Sequence, residues 1–358
     1  MAKKICILAL ITILFSLSSP WIDPAAAGLP NGNRLKDPYA ILRNSLPIDQ
    51  KELRELQNKL EDTSDDLRGS RWSAISKATS RSQFLVSNRK NEILDSIPDE
   101  NKEKAVNLLS NLKKEIDELG QIANEKNKVS FLELRRKSLK TIDNIESLLI
   151  SNNFPYKIPS EYDNLPRLLG RANVEIKTSK GNMNAIIDGY NAPLTAGSFI
   201  DLSLKGFYDG LPINRAEEFF ILQTGDPKGE EIGYIDPDSN ELRKVPLEIR
   251  TPNFEDTLYG ETFEEVGLYT ETPVLPFATL GTLGWAHSDS DLNDGSSQFF
   301  FFLYEAELNP AGRNLIDGRN AAFGYVIEGS EILNTLGVDD KIISIKVLNG
   351  SENLKLKA

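Results

Sequence analysis

The chain has 358 residues, 40% hydrophobic and 26% charged, with a formal net charge of −12 at pH 7. That length and composition suit a soluble globular protein with two domains, each able to bury its own core. So acidic a chain is repelled by phosphates, which excludes nucleic acid as an expected partner.

The acidity sits in one half. Residues 28–158 hold 23 Lys+Arg and 20 Asp+Glu, whereas residues 159–358 hold 16 and 32. The one cysteine, Cys6, lies at the N-terminus, so disulfides, thiol catalysis and cysteine metal sites are not expected.

Residues 1–27 read as an export signal. Lys3 and Lys4 form the basic region, Ile5 to Leu17 the apolar region, and Ala25-Ala26-Ala27 a small-residue cleavage site before Gly28. The alternative is an uncleaved membrane anchor, but the apolar run is short for a span. Cys6 lies too early for a lipoprotein site. No Ser/Arg-rich transit segment precedes the signal, which favours a prokaryotic precursor. The mature chain is expected to carry no transmembrane segment.

Residues 28–47 contain Pro30, Asn31, Gly32, Pro38 and Pro47 and predict an irregular lead-in with one short helix near Tyr39 to Asn44. Residues 48–152 predict four helices in an up-down bundle, and the bundle domain as a whole spans residues 28–152. Three apolar stripes fall at helical spacing: Leu53, Leu56, Leu60 and Leu67; Ala105, Leu109, Leu112, Ile116 and Leu119; Leu139, Ile142, Ile145 and Leu149. Trp72 to Leu94 is less periodic but helix-like. Breaks are expected near Gly69, near Pro98 with Asp99 as helix cap, and between Gly120 and Ser130. The stripes read as bundle core. The segment has no histidine, so a metal-carboxylate bundle is unsupported.

Residues 153–170 carry Pro155, Pro159, Pro166 and Gly170 and read as a linker. From 171 to 358 the period changes. Val174, Ile176 and Thr178 alternate with polar residues, and after a Gly-Asn step so do Met183, Ala185 and Ile187, which predicts a hairpin. A helix is expected over Ala192 to Leu204, with Pro193 in its first turn. Short apolar runs follow at Phe219–Leu222, Thr282–Ala286, Gln298–Leu303, Phe323–Ile327 and Ile342–Val347. The pattern predicts an α+β chain whose second domain is a closed eight-stranded β-barrel capped by helices.

Two strings in this half carry chemistry. INRAEEFFILQTGDP runs from Ile213 to Pro227, and NDGSSQFFFFL from Asn293 to Leu303. Together they offer Arg215, Gln223, Phe220, Phe299 and Phe300 to one pocket. An arginine beside an apolar, proline-sized pocket is what rotation of an X-Pro bond requires. The plainer reading of Arg215 is an ion pair with Glu217 or Glu218. The plainer reading of the Phe299–Phe302 run is a buried strand, in which alternation lets at most two of the four rings face a pocket.

These strings resemble the two active-face segments of cyclophilins. APLTAGSFIDLSLKGFYDGLPINR, FILQTGD, GTLGWAHSD, GSSQFFFF and LIDGRNAAFGYVIEG follow in the family's order, over residues 172–350. The insertion GDPKGEEIGYIDPDSNELRKVPLEI and the phrases YGETFEEVGLY, PVLPF and LNPAGRNLIDGRNAAFGYV are similar to large cyclophilin-like immunophilins of the thylakoid lumen. The helical region resembles photosystem II extrinsic subunits of the PsbQ type.

The resemblance implies a peptidyl-prolyl cis-trans isomerase without cofactor or metal, with Arg215 as catalytic donor. It implies that Phe220 and Phe300 hold the prolyl ring and that Gln223 fixes substrate backbone or positions Arg215. Trp285, Ala286 and His287 would bind the preceding residue, with Gln298, Leu315 and Asn320 completing the pocket. Departures are Asn214 and Asn320 where histidines are usual, Leu315 where a tryptophan often stands (which weakens cyclosporin binding), Trp285 for methionine, and Phe219 for glycine. His287, the single histidine, has no triad or zinc partners nearby. Asp289, Asp291 and Asp294 lack the spacing and distal glutamate of a calcium loop.

The resemblance implies a location in the thylakoid lumen, and the export signal alone leaves the periplasm as alternative. The expected partners are proline-containing loops of photosystem II subunits, met at the membrane surface. The resemblance implies isomerase activity that is weak or absent. The alternative function is a non-catalytic assembly chaperone, with the bundle as docking or autoinhibitory domain.

Overall fold

The computed structural model describes residues 36–150, 154–229, 232–237, 239–254, 256–304 and 314–356. The expected export signal lies outside them. Among the described residues, no helix is long and apolar enough to cross a membrane.

The N-terminal region is helical: α1 (Pro38–Asn44), α2 (Lys51–Arg68), α3 (Trp72–Asn88), α4 (Lys90–Asp95), α5 (Lys102–Glu125) and α6 (Lys128–Leu149). α2 packs on α3, α3 on α5, α5 on α6, and α6 returns to α2. The three stripes meet there, with Leu53, Leu56, Leu60, Leu109, Leu112, Ile116, Ile142 and Ile145 in one buried cluster.

Residues 48–152 divide differently from the four helices expected. The segment from Trp72 to Leu94 breaks at Arg89 into α3 and α4. Asp99 caps no helix; it opens a single 3-10 turn, Asp99–Asn101, and pairs with Lys102 at 2.6 Å. Helix α5 runs straight through Gly120 and ends at Lys126 in the left-handed conformation (φ 57°). The break expected between Gly120 and Ser130 thus falls at Lys126–Asn127. A Cβ at Gly120 would meet the end of the Gln83 side chain, at 2.9 Å from Nε2, which can swing aside.

The second half contains an eight-stranded antiparallel sheet: β1 (Arg171–Thr178), β2 (Asn182–Asp188), β3 (Ile213–Glu217), β4 (Ile221–Thr224), β5 (Thr282–Trp285), β6 (Phe299–Phe302), β7 (Ala322–Glu328) and β8 (Ile342–Asn349). Their order across the sheet is β8-β1-β2-β7-β5-β6-β4-β3. Helix α7 (Pro193–Leu204), with proline in its first turn, lays Leu194, Phe199 and Ile200 against the inner face. Val174, Ile176, Met183, Ala185 and Ile187 all point into that core, so the predicted hairpin has the predicted inward set.

The expectation of a closed barrel is corrected. The sheet is open, and no ladder joins β3 to β8. Among the described residues its edges meet at a bridge between Pro212 and Lys341, with hydrogen bonds from Ile213 N–H to the Asp340 carbonyl, from Ile342 N–H to the Leu211 carbonyl and from Gly210 N–H to the Ile342 carbonyl. The rest of β3 is exposed.

Two buried carboxylates tie the fold to pH. Burial pushes Glu146 on α6 up to about 8, against the opposing pull of Arg54 at 3.4 Å. Burial also pushes Glu248 up to about 7, although Glu248 accepts the Leu194 and Thr195 N–H groups at the start of α7. Above the ordinary carboxylate value of about 4.3, the folded chain binds more protons than the unfolded chain. Their contribution is full below that value and is lost as pH rises through about 7 and 8. Unfolding in urea at pH 5.5 and 8.0 is expected to show this loss, a few kcal/mol in size. The double variant Glu146→Gln/Glu248→Gln should flatten it; an unchanged pH dependence in that variant would refute the assignment.

Candidate active site

The register across β3, β4, β6 and β5 builds the site. Arg215 stands opposite Gln223, Gln223 opposite Phe300, and Phe300 opposite Gly284. Residues directly opposite in an antiparallel ladder point to the same face. One transverse row therefore carries a guanidinium, an amide and an aromatic ring in line. Two strand spacings, roughly 10 Å, separate the Arg215 and Phe300 backbones. The next row on this face runs Glu217, Ile221, Phe302, Thr282 and Tyr325.

Alternation sorts the four phenylalanines. Phe299 and Phe301 join the inner core; Phe300 and Phe302 join the cluster on the outer face. Phe300 is buried and stacks on Phe277, with centroids 5.7 Å apart and planes at 15°. Gly284 gives the Phe300 ring its place, since a Cβ there would lie 2.2 Å from the ring's tip. Phe220, partly exposed, meets Phe302 edge-on at 6.4 Å.

Arg215 is half exposed and ion-paired with Glu217, two residues along on the same face. The plainer expectation for this arginine is thus met in the resting geometry. Gln223 Nε2 donates to Gln298 Oε1 at 2.7 Å, and Asn214 Nδ2 donates to the same oxygen at 3.3 Å. Gln298 Nε2 donates to Asp226 Oδ1 at 2.8 Å and to the Ile232 carbonyl at 3.1 Å. The two glutamines thus form one fixed network beside the row.

His287 has its ring nitrogens 2.8 Å from the Ser288 carbonyl and 3.0 Å from the Arg319 carbonyl. Asn320 Nδ2 lies 3.3 Å from His287 Nε2 and 3.4 Å from the Trp285 carbonyl. The Ala286 N–H donates to the Gln298 carbonyl at 3.1 Å. These contacts connect Ala286, His287, Gln298 and Asn320 at the ends of β5 and β6. Leu315 is 74% exposed.

Trp285 is a correction. It pairs with Phe299, not Phe300, and its ring packs edge-on against Phe323 at 5.8 Å inside the sheet. Strand alternation puts Leu283 and Trp285 inward and leaves Gly284 on the outer face. The residue that β5 brings to the row is a glycine, which sequence reasoning passed over.

Three further residues were also missed: Phe277, and Ile41 and Leu42 of α1, which share the outer cluster with Phe300 and Phe302. Phe277 lies in the PVLPF string, so its family phrase was a signal; nothing in the proline-broken lead-in marked Ile41 and Leu42.

Comparison with known proteins gives two family matches. Residues 37–150 match the "Peptidyl-prolyl cis-trans isomerase CYP38-like, PsbQ-like domain". Residues 173–347 match the "Cyclophilin type peptidyl-prolyl cis-trans isomerase/CLD" domain. The Synechocystis protein sll0408, provisionally named a thylakoid lumen peptidyl-prolyl cis-trans isomerase, is 42% identical over 98% of this chain and 94% of its own length. The chloroplastic peptidyl-prolyl cis-trans isomerase CYP38 of Arabidopsis thaliana is 38% identical over 93% of this chain and 78% of its own. A Cryptosporidium parvum cyclophilin crystallised in the presence of the dipeptide Ala-Pro is 23% identical, covers 49% of this chain and 99% of its own, and has a TM-score of 0.37.

Proposed function

Because the chain belongs to the cyclophilin-type peptidyl-prolyl cis-trans isomerases that carry a PsbQ-like domain ahead of the isomerase domain, we propose that it rotates X-Pro bonds in lumenal loops of membrane proteins and assists photosystem II assembly and maintenance. The lumenal location rests on the names of its relatives in Synechocystis and Arabidopsis. The photosystem II assignment rests on the PsbQ-like domain.

The observation that carries the isomerase reading is the row Arg215–Gln223–Phe300–Gly284. Rotation about X-Pro meets a barrier of roughly 18–20 kcal/mol set by amide resonance. No nucleophile or metal is needed. The prolyl ring rests on the apolar part of the row, with Phe220 at its rim. Arg215 donates to the imide nitrogen as that atom pyramidalises and its lone pair becomes available. Gln223, held by Gln298, aligns the substrate backbone.

A second reading has its own support. Phe300 is already covered by Phe277, in a cluster that also holds α1's Ile41 and Leu42, and Arg215 is engaged by Glu217. A site occupied in this way suits a peptide-binding assembly factor without turnover. NMR exchange spectroscopy on an Ala-Pro peptide separates the two. Faster cis/trans exchange in the presence of the protein is the expected result. Peptide shifts without faster exchange would favour the binding module.

A further inference from the structure

The turn joining β3 to β4 holds an expensive residue. The Phe220 N–H donates to the Glu217 carbonyl at 3.0 Å, which closes a four-residue turn with Glu218 and Phe219 at its centre. Phe219 has φ of +61°, while Glu218 is not among the residues of positive φ. That is the pattern of a type II turn, whose third position calls for glycine or asparagine. A bulky side chain there is an outlier. Ser70, Lys126 and Asn240 are the other non-glycine residues of positive φ among those described; Phe219 is the one aromatic.

Nothing in the core compensates. The Phe219 side chain is 53% exposed and belongs to none of the buried clusters. Its position is not arbitrary either. It lies four residues after Arg215 and four before Gln223, next to Phe220 at the rim of the row. A strained, exposed aromatic residue beside a peptide site costs the free protein stability, and a bound partner that covers the ring is where the return lies.

We propose that Phe219 is a specificity-determining residue: its ring receives a bulky apolar side chain flanking the proline, so the site selects apolar-flanked X-Pro segments over alanine-flanked ones. The inference rests on the X-Pro reading of the row and adds the substrate class.

The test uses three peptides, alike except that the residue before or after Pro is Leu or Ala, titrated by NMR into the wild-type chain, Phe219→Gly and Phe219→Asn. Wild type is expected to bind at least one Leu-flanked peptide about three- to tenfold tighter than the Ala-flanked one. In both variants that ratio should fall to about one, since neither keeps a ring to cover. The thermal midpoint of Phe219→Gly should rise by about 2–4 °C, because glycine relieves the turn. A merely structural phenylalanine would move the midpoint down, and that result overturns the proposal. So does a Leu preference that survives in Phe219→Gly. If wild type binds Leu- and Ala-flanked peptides alike, the specificity claim falls and the X-Pro site stands. If it binds none of them, both fall.

Discussion

Arg215→Ala is expected to slow catalysed X-Pro exchange by about 10²- to 10³-fold while changing peptide affinity by no more than a few-fold. In the ground state the imide nitrogen has its lone pair tied up in resonance and accepts no hydrogen bond. It accepts one only as the bond twists. A donor at Arg215 therefore acts on the transition state and not on the bound peptide, so its loss appears in turnover. Arg215→Lys keeps the charge but loses the fork geometry and should recover part of the rate. Exchange spectroscopy at saturating peptide reads all three proteins. A rate in Arg215→Ala equal to wild type would remove the arginine from the mechanism.

The second large effect is on stability. Asp188, fully buried at the end of β2, accepts from Arg171 Nε and Nη2 at 2.9 and 2.7 Å and from the Asn191 backbone and side chain at 3.0 Å each. Arg171 in turn donates to the Leu42 carbonyl and to Ser45 Oγ, and Asn191 Nδ2 donates to the Ser45 carbonyl. From the bundle, Arg54 donates to the carbonyls of Arg43 and Leu46 at 2.7 and 2.8 Å.

The C-terminal end of α1 is thus gripped from both sides. Its last carbonyls have no partner within the helix and attract cations. Asp188→Ala strips the part-buried Arg171 of its fully buried counter-ion and is expected to cost about 3–5 kcal/mol in urea unfolding. Hydrogen exchange should rise selectively over residues 38–46, where the grip is lost. A loss under about 1 kcal/mol, the value of an exposed pair, would contradict this account.

Local pattern carried far in this chain. The hairpin over Val174 to Ile187, the helix opened at Pro193 and the inward-outward sorting of Phe299 to Phe302 follow from period and turn chemistry, and each is visible in the sequence. What depended on distant partners was not. The packing of α1 on the outer sheet face rests on the Arg171–Asp188 pair and on Phe277, residues far away in the chain. The orientation of Trp285 depends on which face of β5 is inside, whereas the family resemblance implied a place in the pocket. The open sheet leaves most of β3 exposed, a feature that a count of strands passes over.

Among the site residues, the structure brings Arg215, Gln223 and Phe300 into one row, with Phe220 at its rim. Ala286, His287, Gln298 and Asn320 form a neighbouring network, Trp285 turns inward, and Leu315 stands exposed.

The central claim is that Arg215 serves the substrate and that its ion pair with Glu217 is a resting position. The pair is roughly half exposed on both sides, and such pairs are worth about 0.2–1 kcal/mol. The most direct measurement compares the exchange rate in Glu217→Ala with that in Arg215→Ala, on the same Ala-Pro peptide at saturation. The account predicts that Glu217→Ala turns over at least as fast as wild type, because the guanidinium is released, while Arg215→Ala loses at least about 100-fold. Equal losses in the two variants would mean that the arginine matters only as half of an ion pair, and the catalytic assignment would fail.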